Sequence, residues 1–287
     1  MKTAIIDIGS NSVRLMIWAD GKTLYKTLKT TRLGEGLNSS PNLLQNAITR
    51  TAQAIAEFCK TAKEAGADKI YAFATAAVRF ANNKEQFIEA VYKLCGLQVD
   101  VISGETEAEI GLFGALKNAD GGIIDVGGAS TEVTVRIGGK VAYSKSVNIG
   151  TVRILDAAGR NLDKIDGFIS EKISEYGERD FSGSDIRAVG GTASRLAAVK
   201  LGLKAYNPSL INGTKLTVEE IRDFAERFTT LSAEEIRKTT LLTKSADLIG
   251  GGAALLAAVM ANFKITTVTV SESDNMEGYL NLKSNVK

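Results

Sequence analysis

The chain has 287 residues, 44% of them hydrophobic and 24% charged, with a formal net charge of +2. That length and composition exclude a disordered or fibrous protein and suit two globular domains. The small net charge excludes wholesale nucleic-acid binding, so no DNA partner is expected and any polyanion site has to be a local patch.

There is no histidine. That absence removes the commonest general base, the Ser-His and Cys-His nucleophile pairs and His-based zinc sites. Proton chemistry would fall to carboxylates, lysine or tyrosine, and a metal would be a hard, oxygen-liking cation such as Mg²⁺. Cys59 and Cys95 stand alone in helical segments without metal or redox spacing and read as reduced core thiols. The longest apolar run, 248–261, is too short to span a bilayer, and the first residues do not read as a secretory signal. A cytoplasmic protein with no membrane partner is the expectation.

In chain order, residues 3–7, 12–19 and 23–31 read as strands, with an Asp20-Gly21 hairpin turn between the last two. A helix follows over 42–65, then a buried strand at 69–75, a helix over 84–94 closed by Gly96, a strand at 98–103 and a helix over 105–117. The order then restarts. Strands at 121–127, 130–137 and 140–148 flank a Gly138-Gly139 turn, and two helices, a strand at 186–190 and a helix from Thr192 come next. Helices near 217–229 and 244–262 and a strand at 265–270 complete the pattern. Two copies of a three-strand meander, each feeding helices and further strands, predict a duplicated α/β fold. The expected domains are 1–118 and 119–273, facing one another across an interdomain cleft.

The repeat is sharpest in two turns, "IDIGSNSVRLMI" (6–17) and "IDVGGASTEVTV" (124–135). Asp7 answers to Asp125, Gly9 to Gly127, Ser12 to Ser130 and Arg14 to Glu132. A tight glycine-serine turn exposes several backbone N–H groups in one direction, a nest for phosphate oxygens. The Ser10, Ser12 and Ser130 hydroxyls add donors, and Asn11, Gly127 and Gly128 lie in the same turns. Asp7 and Asp125 close the first strand of each half, where α/β folds place their ligands. A carboxylate beside phosphate is repulsive unless a cation intervenes, so both aspartates are candidate Mg²⁺ ligands.

With these turns in place, the chain resembles the actin, sugar kinase and Hsp70-type ATPase superfamily, built on ribonuclease H-like (actin-like ATPase) domains. Within it, the chain is most similar to the exopolyphosphatase / guanosine pentaphosphate phosphatase family (Ppx/GppA). The resemblance rests on "DIGSNSVRL" (7–15), "TRLGEGL" (31–37), "ATAAVR" (74–79), "VISGETEAEIGLFG" (101–114), "DVGGASTE" (125–132), "SVNIGTVRI" (146–154) and "VGGTAS" (189–194), in the family's order. It implies a hydrolase releasing terminal phosphate from inorganic polyphosphate or guanosine pentaphosphate (pppGpp), with Mg²⁺ or Mn²⁺. By position it implies Glu107 as the base that activates water. Asp125 and Glu132 become metal- or water-linked carboxylates, and Arg14 and Arg79 phosphate ligands. Gly190, Gly191 and Thr192 form a further phosphate loop. A C-terminal helix over about 274–287 that packs back on the first domain, and a homodimer, are implied by the resemblance alone.

Three positions depart from the family's pattern. Ala129 replaces a third loop glycine, and Ser245 and Met276 stand where arginines are common, which puts the usual substrate contacts of the second half in question. Glu105 and Glu109 flank Glu107 and read as a solvated helix face. Lys22, Lys26, Lys29 and Arg32 read equally as a polyanion track or as the charged edge of a sheet. Two other readings compete: an actin-like ATPase or kinase, which leaves "VISGETEAE" unexplained, and a (p)ppGpp- or polyphosphate-binding regulatory protein with little activity.

Overall fold

A computed structural model of the chain describes residues 1–37, 39–242 and 246–285. The chain forms two compact units, one of residues 1–110 with the C-terminal helix, the other of residues 111–274. The N-terminal unit opens with β1 (Thr3–Ile8), β2 (Ser12–Ala19) and β3 (Lys22–Thr30). It continues through α1 (Gln45–Glu64), β4 (Lys69–Ala74), the short α2 (Ala76–Arg79), α3 (Lys84–Cys95) and β5 (Val99–Val101). The boundary between the units falls inside α4 (Gly104–Leu116). Its sheet has the order β3-β2-β1-β4-β5, with the first three strands antiparallel and β4 and β5 parallel to β1. Every residue of β1 is buried, as expected of a strand covered on both faces.

The second unit repeats the plan with β6 (Gly121–Val126), β7 (Thr131–Ile137) and β8 (Lys140–Val147), followed by α5 (Thr151–Ala158) and α6 (Leu162–Ile173). Then come β9 (Ile186–Val189), α7 (Gly190–Lys200), α8 (Pro208–Ile211), β10 (Lys215–Thr217), α9 (Val218–Thr230), α10 (Ala233–Thr239), α11 (Ile249–Asn262) and β11 (Thr267–Val270). The order is β10-β11-β9-β6-β7-β8, with β9 parallel to both β6 and β11. After it, α12 (Asn275–Asn285) belongs to the first unit.

The duplication extends to local irregularities. A register shift falls between Ile17 and Trp18 in β2 and between Val135 and Arg136 in β7, at equivalent positions. Both meanders turn on two left-handed residues: Asp20 and Gly21 at φ 52° and 77°, Gly138 and Gly139 at 61° and 75°. Two consecutive positive φ values match the right-handed twist of the strands they join, which explains Asp-Gly and Gly-Gly there.

The elements α2, α8, β10 and α10 go beyond the sequence pattern. The three-residue β10 pairs antiparallel with β11, and α10 begins with a capping box of Ser232 and Glu235. In α11 the run Gly250-Gly251-Gly252 reflects close approach. An added Cβ would lie 2.8 Å from side-chain carbons of Thr229 at Gly250 and of Ile154 at Gly251, and 2.9 Å from Thr192 at Gly252. The predicted start of this helix at 244, and Ser245 with it, lie outside the described residues.

Met276 is buried in a cluster with Ile5, Met16, Phe73, Ile102, Ile110 and Tyr279, so the residue replacing an arginine packs as core. Tyr279 lies against Phe73 and donates from its hydroxyl to Asp100, which also pairs with Lys283 at 2.6 Å. The strand bearing Lys22, Lys26 and Lys29 is a sheet edge. Lys26 pairs with Glu277 at 2.7 Å and Lys29 with Glu57.

Candidate active site

Two loops join the first hairpin of each unit, and both close on the same hydrogen bond. Gly9 N–H donates to the Ser12 carbonyl at 3.0 Å, and Gly127 N–H to the Ser130 carbonyl at 3.1 Å. A Cβ on Gly9 would stand 3.2 Å from that carbonyl oxygen and one on Gly127 only 2.8 Å, which is why glycine occupies both positions. The segment after the third strand then pins each loop through its carbonyls. Gly34 N–H donates to Ser10 and the amides of Thr31 and Arg32 to Asn11. In the second unit Thr151 and Val152 N–H donate to Gly127 and Gly128, each at 2.9 Å. The first turn of α5 is thus spent on holding the loop. With carbonyls engaged from behind, each loop is oriented as a nest whose remaining amides suit an anion.

Ala129 fits this frame. It is buried, and its carbonyl accepts from Arg153 Nε at 2.8 Å, so the methyl is accommodated in the interior. Burial, opposed by the charge of Asp156, lowers the pKa of Arg153. Arg153 stands inside a quoted motif, yet nothing in its spacing signals that it braces this loop.

The strand register makes the chief electrostatic difference between the halves. Asp7 lies directly opposite Arg14, and Asp125 directly opposite Glu132. In antiparallel strands such partners share one face with Cβ atoms ~5 Å apart, where opposite charges stabilise and like charges repel. Arg14 Nε donates to Asp7 at 2.9 Å, and a second bond comes from Nη2. Glu132 is buried and accepts from the Ser146 hydroxyl at 2.6 Å. Tyr176, whose hydroxyl donates to the Thr131 carbonyl at 2.8 Å, has its pKa raised by burial and then by the Glu132 charge. One unit therefore presents a neutralised pair and the other two facing carboxylates.

Asp125 also neighbours the Gly190–Thr192 turn. It pairs in register with Val189, and a Cβ on Gly190 would stand 2.5 Å from its Oδ1. Gly190 has φ of 81° and opens α7, which has no side-chain cap and no acidic residue in its first turn. The leading N–H groups of a helix lack intrahelical partners, and the helix dipole adds positive potential there. Thr192 is buried beneath this turn.

In the first unit Glu107 is buried on α4, while Glu105 and Glu109 face solvent. Arg79, at the end of α2, donates from Nη1 to Glu107 Oε2 at 2.7 Å and to the Ile102 carbonyl at 3.2 Å. Both side chains of this ion pair are largely withdrawn from solvent, at 15% and 8% exposure.

Among the described residues, no group of three or more acidic, histidine or cysteine side chains is arranged to cage a metal. A facing carboxylate pair suits a different mode. Mg²⁺ is usually held by one or two carboxylates, with waters and substrate phosphates completing its shell. Asp125 and Glu132 fit that donor set, whereas Asp7 already answers Arg14. The cysteines hold one surprise: Cys95, whose Sγ donates to the Val91 carbonyl at 3.3 Å, interacts with Cys59, and burial together with Cys95 pushes the Cys59 thiol up to about 12.

Two α/β units, each with an antiparallel meander, parallel strands and a pinned glycine-serine loop, define an actin-like ATPase-type fold. The chain belongs to the Ppx/GppA phosphatase family, whose model matches residues 17–283. The bifunctional 3-dehydroquinate synthase/phosphatase of Fusobacterium nucleatum is 29% identical over 303 residues, covering 96% of this chain and 45% of that protein. The chain thus spans about half the length of this curated relative. The crystal structure of the Aquifex aeolicus Ppx/GppA family member superposes with a TM-score of 0.78 at 29% identity, covering 100% of this chain and 99% of that one. An exopolyphosphatase-like protein gives a TM-score of 0.87 at 26% identity, covering 98% of each. Family membership supports phosphohydrolase activity. Among the described residues, no helix is long and apolar enough to cross a membrane.

Proposed function

We propose that the protein hydrolyses the terminal phosphoanhydride of inorganic polyphosphate or of guanosine pentaphosphate, with Mg²⁺ or Mn²⁺, in the cytoplasm. The observation that carries this reading is the facing pair Asp125 and Glu132 beside a loop whose carbonyls are pinned from behind. Two carboxylates on one face suit a hard cation such as Mg²⁺, and the adjoining nest suits the phosphate oxygens such a cation accompanies. The similarity to an exopolyphosphatase-like protein supports the substrate class.

Phosphoanhydride hydrolysis asks the protein chiefly to align water and to neutralise charge on the transferred phosphoryl group. In this reading Glu107 accepts the proton of the attacking water. Within each unit the loop suits phosphate oxygens: Ser10, Asn11 and Ser12 are the donors in the first, Gly128 and Ser130 in the second, where Gly127 shapes the turn through its bond to the Ser130 carbonyl. The opening of α7 at Gly190, Gly191 and Thr192 takes a further phosphate, and Arg79 adds positive charge. Asp125 and Glu132 hold the cation, which neutralises phosphate charge when bound. Asp7 has its part through Arg14, the residue it orients in the first loop. Of the competing readings, a regulatory binder is the one whose ligands would also suit these loops, while buried Glu107 favours turnover.

The test is phosphate release from polyphosphate, pppGpp and ATP with Mg²⁺. Wild-type release from the first or second, falling by ~10²–10⁴-fold in Glu107→Gln, is the expected result. Binding without release defeats the hydrolase in favour of the regulatory protein, and release from ATP alone favours the ATPase.

A further inference from the structure

Arg79 is held on several sides. Its Nη1 spans the Ile102 carbonyl and Glu107, and its guanidinium lies 5.0 Å from the Phe80 ring centroid. Its Nη2 is buried and has no hydrogen-bond partner. A Cβ on Gly104, the first residue of α4, would still be 4.0 Å from that nitrogen, so the glycine leaves it uncrowded. A buried guanidinium nitrogen without an acceptor is costly and calls for one.

Resting on the phosphohydrolase reading above, we propose that Arg79 is a positioning residue for Glu107. Through Nη1 it fixes the orientation of the carboxylate that receives the water proton, and Nη2 remains the donor for a phosphoryl oxygen. Because the two functions use different nitrogens of one rigid, planar fork, Arg79 need not release Glu107 when phosphate binds. The ring of Phe80 and the Ile102 carbonyl hold the plane of that fork. A loose phosphoryl-transfer transition state depends above all on aligned water, which is what a fixed carboxylate supplies. Lysine could supply the charge but not both directed contacts.

The test is a double-mutant cycle of Arg79→Lys and Glu107→Gln, with phosphate release from inorganic tripolyphosphate measured in Mg²⁺ and kcat and KM resolved. Arg79→Lys is expected to lower kcat by ~10–100-fold in the native background, the scale of a misplaced catalytic group. In the Glu107→Gln background the same change should lower kcat by less than ~3-fold, while KM rises in both. Should the lysine variant fail to fold, Arg79→Gln runs the same cycle. Independent, multiplying losses in kcat overturn the positioning role, because a general structural defect would slow both backgrounds alike. No release by the wild type overturns the hydrolase reading and this inference together. Release with a multiplicative cycle overturns the inference alone.

Discussion

Glu132→Gln separates a carboxylate kept for function from one kept for stability. Asp125 and Glu132 are direct cross-strand partners, and Glu132 is buried. Two unit charges ~6 Å apart in an effective dielectric of ~20 repel by about 3 kcal/mol, and partial exposure of Asp125 reduces that to about 1–2 kcal/mol. Glutamine keeps the acceptor for the Ser146 hydroxyl and removes the charge. The metal-free variant should therefore be more stable than the wild type by about 1–2 kcal/mol, a rise of ~2–8 °C in Tm for a unit of this size. Differential scanning calorimetry in chelator measures it. Added Mg²⁺ with inorganic phosphate should raise the wild-type Tm and leave the variant nearly unchanged, since a ligand stabilises only the state it binds. Phosphate release should fall in the same variant. A metal-free Tm equal to or below that of the wild type would refute the reasoning, because it would show that the two carboxylates do not oppose each other.

Other consequences can be checked separately. Gly150→Ala would bring a Cβ within 2.5 Å of the Gly128 carbonyl carbon and oxygen, so the loop must shift. We expect a loss of ~1–3 kcal/mol and of most phosphate release, whereas Gly167→Ala, which meets nothing within 4 Å, should leave activity intact. Acid should loosen α12. Burial raises the pKa of Asp100, but hydrogen bonds from Lys283 and Tyr279 outweigh it and hold the carboxyl below its usual value. A lowered pKa gives stability that is present above about pH 4 and lost as pH falls through the folded value. Limited proteolysis of α12 should therefore quicken below about pH 4, and less steeply in Tyr279→Phe. Equal pH dependence in both proteins would exclude the Tyr279 hydroxyl from the effect.

Much of this molecule is written locally. Asp-Gly and Gly-Gly turns, alternating β-branched residues and the two glycine-serine loops depend on backbone freedom and side-chain period over a few residues. A sequence displays those properties directly, and the duplication made them legible twice. The pairing of Asp7 with Asp125 and of Arg14 with Glu132 as counterparts was visible for the same reason.

The tertiary structure decided what these residues face. Arg79 and Glu107 are 28 positions apart and meet because α2 and α4 follow neighbouring parallel strands. The register set Arg14 against Asp7 and Glu132 against Asp125, making one half a neutral pair and the other a like-charged one. Cys59 and Cys95 read as unrelated thiols until α1 and α3 brought them into one core. Met276 stood out as a missing charge and proved to be core packing. β10, only three residues long, has too short a pattern to announce itself and exists through its pairing with β11. Local chemistry chooses turns, strands and helices, but long-range contacts follow from how buried faces pack, and that packing placed each charge beside its partner.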